Sequence, residues 1–112
     1  MLTMANRPTS KSSQWTFLTN HAHVLVCIYR DSSLRTRDIA AAVGITERAT
    51  QSIIADLVRD GYLIRDKEGR RNVYTVVSDA HFRHPIEAGH RVSDLLDLLE
   101  NPGNTRRKKR TT

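Results

Sequence analysis

Residues Thr36 to Asp60 read TRDIAAAVGITERATQSIIADLVRD, and the fold follows from how this stretch divides. Ile39, Ala40 and Val43 recur at helical spacing and form one apolar stripe. Gly44 supplies the left-handed residue that ends a helix. Thr46 is suited to cap a second helix, with Glu47 in the first turn where negative charge is favoured. Ile53, Ile54 and Leu57 form a second buried stripe, while Arg48, Gln51, Ser52 and Arg59 occupy the opposite face. The stretch is therefore a helix-turn-helix whose second helix, 46–60, has a polar outer surface.

The residues that follow narrow the architecture. Gly61 to Arg65 (GYLIR) and Arg71 to Val77 (RNVYTVV) are rich in β-formers and flank the charged, glycine-containing segment Asp66 to Arg70. That pattern predicts a β-hairpin over 62–77 with a basic tip at Arg70 and Arg71. Side chains alternate along a strand, so Arg70 and Arg71 need not face the same way. Upstream, Asp31-Ser32-Ser33 breaks a helix, Thr36 is placed to cap the next, and Arg37 and Asp38 open it. Leu34 and Arg35 are expected to be extended, as a short third strand beside the hairpin. The fold class is thus mainly α with a small β-hairpin: a winged helix-turn-helix with an additional C-terminal helix.

That last helix and the first frame the domain. Gln14 to Arg30 reads as a helix with Leu18, Ala22, Leu25 and Ile28 or Tyr29 at helical spacing, and Val24, Val26 and Cys27 broaden its apolar surface. Trp15 and Phe17 would stand at its start, as a core lid or a dimer contact. Pro85 suits the first turn of a helix over Ile86 to Leu99, whose Val92, Leu95, Leu96 and Leu99 share one side. A small winged domain leaves this stripe incompletely covered, so the helix is expected to pack on the first helix and these four to contribute to the interface of a homodimer, the alternative being that it packs only within its own chain.

The 112 residues suffice for one domain with one modest core. Three segments are expected: a disordered start over 1–13, the domain over 14–100, and a basic disordered tail over 101–112. The formal net charge is +6, but Arg106, Arg107, Lys108, Lys109 and Arg110 lie in the tail. Of 18 basic residues this leaves 13 in the rest of the chain, against 12 acidic ones. Affinity for a polyanion must then come from local arrangement plus the tail. No apolar run has membrane length, and no charged-then-apolar start resembles a signal peptide. The single cysteine, Cys27, excludes an intrachain disulfide. A cytoplasmic protein is expected.

In the order of its elements the chain resembles small winged helix-turn-helix transcriptional regulators of the broad MarR-like and ArsR-like group. The likeness is carried by LRTRDIAAAVGITERATQSIIADLVRDGYLIRDKEGRRNVYTV, Leu34 to Val76, a little over a third of the chain. It implies a sequence-specific regulator that binds double-stranded DNA, with 46–60 in the major groove and the wing on a minor groove or the backbone. Arg48, Gln51 and Ser52 would face base edges, and Thr46, Arg37, Arg70 and Arg71 would serve backbone and wing contacts. The chemistry agrees. Arginine pairs bidentately with guanine and glutamine with adenine, and a helix start suits a phosphate. Two departures are Thr50, where an aliphatic residue is more usual, and the modest charge of the binding face.

Other constellations are weaker. Asp79-Ala80-His81 resembles the start of a zinc-sensing pattern in some ArsR-like regulators, but His90 and Asp94 fall outside the usual spacing, so neither metal nor cofactor is assigned. No glycine-rich phosphate loop, Ser/His/Asp set or carboxylate pair in a cleft supports an enzyme. The alternative functions are a winged protein-interaction module and an RNA-binding module. Hydrogen-bonding groups at Arg48, Gln51 and Ser52 favour DNA over protein docking, and the wing offers only Tyr62 and Tyr74 for base stacking. Any effector remains unspecified by the sequence.

Overall fold

The computed structural model describes residues 14–100. The expected disordered start and basic tail lie outside the described residues. The order is α1 (Asn20–Arg30), α2 (Thr36–Val43), α3 (Glu47–Arg59), β1 (Leu63–Glu68), β2 (Arg71–Val76) and α4 (Val92–Glu100). The fold is a winged helix-turn-helix with a fourth helix after the wing.

Local chemistry sets the joints. α2 ends at Gly44, whose φ of 88° lies in the left-handed region where a side chain is strained. Thr46 then caps α3, its Oγ1 accepting from the Ala49 amide at 3.0 Å. At the other end the Tyr62 amide donates to Leu57 O at 2.8 Å and the Gly61 amide to Val58 O at 3.2 Å. These two bonds, with Gly61 at φ 88°, make a Schellman stop that launches the hairpin directly from the helix. β1 and β2 pair antiparallel from Leu63↔Val76 to Glu68↔Arg71, closed by Gly69-Arg70.

One core holds these pieces together. Val24, Leu25, Val26 and Ile28 of α1 meet Ile39 of α2, Ile53, Ile54 and Leu57 of α3, Leu63 of β1, and Val92 and Leu96 of α4. Thr50 is fully buried; its hydroxyl donates to Thr46 O at 2.9 Å, so the polar atom is satisfied and the methyl packs. The departure at Thr50 is thereby accommodated. Cys27 packs against the core, and burial pushes its thiol above the ordinary value.

Several expectations are corrected. Periodicity starts the first helix at Gln14, but Thr19 caps it and Asn20 begins it, because the Thr19 hydroxyl accepts from the Ala22 amide at 3.2 Å. Trp15 and Phe17 are then not a core lid: they stand 69% and 92% exposed, stacked edge to face. Arg35, not Thr36, caps α2, with the Asp38 carboxylate accepting its amide at 3.2 Å. No third strand forms at Leu34 and Arg35 among the described residues. The last helix begins at Val92 rather than Ile86, because Asp94 accepts the Arg91 amide at 3.0 Å and so caps it there. The chain from Val77 to Arg91 is a loop with a His81↔Arg91 bridge, and Ile86 is 85% exposed.

Candidate nucleic-acid interface

α3 presents two surfaces because its apolar residues fall on one side. Ile53, Ile54 and Leu57 go inward, while Arg48, Gln51 and Ser52 are exposed together on the outside. The Thr46 cap leaves the first-turn amides of Glu47 and Arg48 without carbonyl partners, as at any helix start. The Thr46 hydroxyl accepts within the cap and keeps its own proton to donate outward. Arg37 is exposed near the start of α2.

The wing adds residues that the sequence reading passed over. Alternation along β1 puts Leu63, Arg65 and Lys67 on one face and Ile64, Asp66 and Glu68 on the other. Leu63 is buried against the helices, so the cationic face is the one turned toward the body. Arg65 lines a small recess with Gln51 and Ala55 of α3 and with Asn72 and Tyr74 of β2. The strand therefore sorts a near-neutral segment into a basic side beside α3 and an acidic side away from it. Reading β1 as an alternating strand, rather than only as the approach to a tip, was the signal that could have found Arg65 and Lys67.

Arg70 and Arg71 part company. Arg70 stays exposed in the turn. The Arg71 guanidinium donates to the Ser33 carbonyl in the α1–α2 connection. Of the pair, only Arg70 is left at the tip, and Arg71 ties the wing to the helices.

Ion pairing separates the cations further. Among the described residues, Arg37, Arg48, Arg65, Lys67 and Arg70 make no ion pair. Arg59, at the other end of α3, pairs with Asp56 at 3.1 Å and Asp60 at 3.1 Å, and Arg83 reaches Asp60 at 2.7 Å. His21 meets Asp56 at 2.9 Å. The His21 hydrogen bond chiefly, with Arg59, holds the Asp56 carboxyl below its ordinary range, and Arg59 does the same for Asp60.

The residues expected at a dimer interface also divide. Val92 and Leu96 are 0% and 2% exposed within the single chain, so they belong to its own core and offer a partner no surface. Leu95 and Leu99 are half-buried, and Leu98 is 53% exposed. The histidines are dispersed. His81 Nδ1 bonds Ala88 O at 3.0 Å and its Nε2 meets Arg91 Nε at 3.3 Å. His90 lies 3.3 Å from Asp94, and His84 Nδ1 accepts the Ile86 amide at 3.1 Å. No group of three or more His, Cys, Asp or Glu converges among the described residues. No helix there is long and apolar enough to cross a membrane.

Residues 19–64 match the family model described as winged helix-turn-helix DNA-binding. That span takes in α1, α2, α3 and the opening of β1. Comparison with curated proteins gives no match. Among solved structures, the zinc-dependent MarR family transcriptional regulator AdcR, in its Zn(II)-bound state, is similar at 24% identity with a TM-score of 0.46. The likeness covers 61% of this chain and 49% of that one, so the chain spans about half the length of that regulator.

Proposed function

We propose that this chain is a cytoplasmic, sequence-specific DNA-binding transcriptional regulator that reads double-stranded DNA through the first half of α3. The observation that carries the reading is the sorting of charge. Arg48, Gln51 and Ser52 form a hydrogen-bonding strip with Arg65 beside it and Arg70 at the wing tip, free of internal ion pairs among the described residues. The family match over residues 19–64 supports the same end.

In the major groove, Arg48 pairs with guanine, Gln51 with adenine, and Ser52 with either. Thr46, Arg37 and the α3 amides take phosphates and fix the register. Arg70 enters a narrow minor groove or meets the adjacent backbone. Arg71 acts through the Ser33 carbonyl by holding the wing at its angle, and so is a positioning residue. The tail over 101–112 supplies further phosphate contacts without base preference.

The regulator works as a homodimer, its partner meeting Leu95, Leu98 and Leu99 on the uncovered side of α4. Selection of bound duplexes from a random pool tests this directly. The expected product is an inverted repeat with half-sites one helical turn apart, about 10 base pairs centre to centre. Recovery of no consensus would remove the sequence-specific reading.

A further inference from the structure

We propose that a cleft sharing no residue with the strip of Arg48, Gln51 and Ser52 binds a small organic cation with an aromatic or apolar body. The cleft has a volume of about 620 Å³ and lies between the start of α1, the last turn of α3, the 77–91 loop and the start of α4. That volume suits a ligand of drug-like size. Its floor is apolar, made by Leu25, Leu57 and Val92 of the core. Phe17, Tyr62 and Phe82 add three aromatic rings, and Phe17 stands 92% exposed at the lip.

Two features select a positive ligand. Three carboxylates line the cleft, Asp56, Asp60 and Glu87, against two guanidinium groups, Arg59 and Arg83, and two imidazoles, of which His21 is taken up by Asp56 and His84 accepts the Ile86 amide. Both guanidiniums are already engaged by Asp56 and Asp60, which leaves Glu87 without an ion-pair partner among the described residues. This local excess of acid sits in a chain of net charge +6. The aromatic rings act in the same direction, since a cation is drawn to a π face and an anion is not. An apolar body would cover the floor while a cationic head meets Glu87. The site shares no residue with Arg48, Gln51 and Ser52, and its test needs no DNA.

The test uses two ions of the same shape and opposite charge, tetraphenylphosphonium and tetraphenylborate. Each is titrated calorimetrically into the full chain at one fixed salt concentration. The expected result is saturable binding of the phosphonium at one per chain, with the borate at least about tenfold weaker. Glu87→Gln, at an exposed position, is expected to weaken the phosphonium by about two- to fivefold, the scale of one exposed charge pair, and to leave the borate no weaker than before. Equal affinity for the two ions overturns the proposal, as does phosphonium binding indifferent to Glu87→Gln. Failure of both ions to bind also overturns it.

Discussion

Arg48 and Arg59 stand on one helix about three turns apart, in opposite settings. Arg48 is exposed beside Gln51 and Ser52, with no ion pair among the described residues. Arg59 is held by Asp56 and Asp60, and Arg83 and His21 close the same cluster. A guanidinium already matched to carboxylates has less to offer a phosphate or a guanine, and the nearby acids repel the polyanion. Net charge per domain therefore says little about DNA binding here, whereas the pairing of each cation says much.

The two halves share one buried side, so the largest effect comes from a change that harms both. Ile53 is 8% exposed beneath the polar strip. Ile53→Ala is expected to destabilise the fold by roughly 2–5 kcal/mol, read in denaturant titration. Destabilisation well below that range would mean that the strip is not backed by a packed core, and would remove the rigid support the comparison assumes.

A smaller effect separates the wing from the paired cluster. Arg65→Ala and Arg70→Ala are each expected to weaken binding to all duplexes alike, and to lower the slope of log affinity against log salt by up to about 0.9 per lost phosphate contact. Arg83→Ala, on the paired side, is expected to leave that slope unchanged. A slope altered by Arg83→Ala and not by Arg65→Ala would reverse the assignment of the two faces.

The smallest effect concerns acid. Asp56 is held below its ordinary 3.8 mainly by the His21 hydrogen bond, and Asp60 below the same value mainly by Arg59. A depressed carboxylate contributes stability that is complete above its unfolded value and is lost as pH falls through the lower folded value. Thermal melts taken from about pH 5 down to about pH 2 should therefore fall more steeply in the wild type than in Asp56→Asn. Parallel slopes would show that the pairs made by Asp56 add nothing to the folded state.

The elements legible in the sequence were those fixed by short-range chemistry. Gly44 and Thr46 bracket the turn between α2 and α3 as their residue types predict, and the hairpin follows from β-formers around a glycine. The ends of α1 and α4 were misplaced because apolar spacing continues past both caps. Leu18 lies in register with the α1 stripe, yet Thr19 caps the helix behind it; Pro85 offers a helix start that the Asp94–Arg91 cap supersedes. Val92 and Leu96 read as uncovered because the sequence does not reveal how far the core of α1 and α3 reaches around α4. In the candidate site, the shared exposed face of Arg48, Gln51 and Ser52 was legible from helical periodicity. The engagement of Arg71 by Ser33 was not, since it spans 38 residues and depends on the angle of the wing.

The central claim is that the first half of α3 reads bases and the second does not. Its direct test is a binding titration of wild type, Arg48→Ala, Gln51→Ala and Arg59→Ala against the selected duplex and a scrambled one, with each variant shown to be folded. The account predicts that Arg48→Ala and Gln51→Ala each lose about 1–3 kcal/mol on the selected site and relax preference at particular base positions. Arg59→Ala is predicted to keep both affinity and preference. Unchanged affinity and preference in folded Arg48→Ala and Gln51→Ala would contradict the account and move a protein-interaction role to first place.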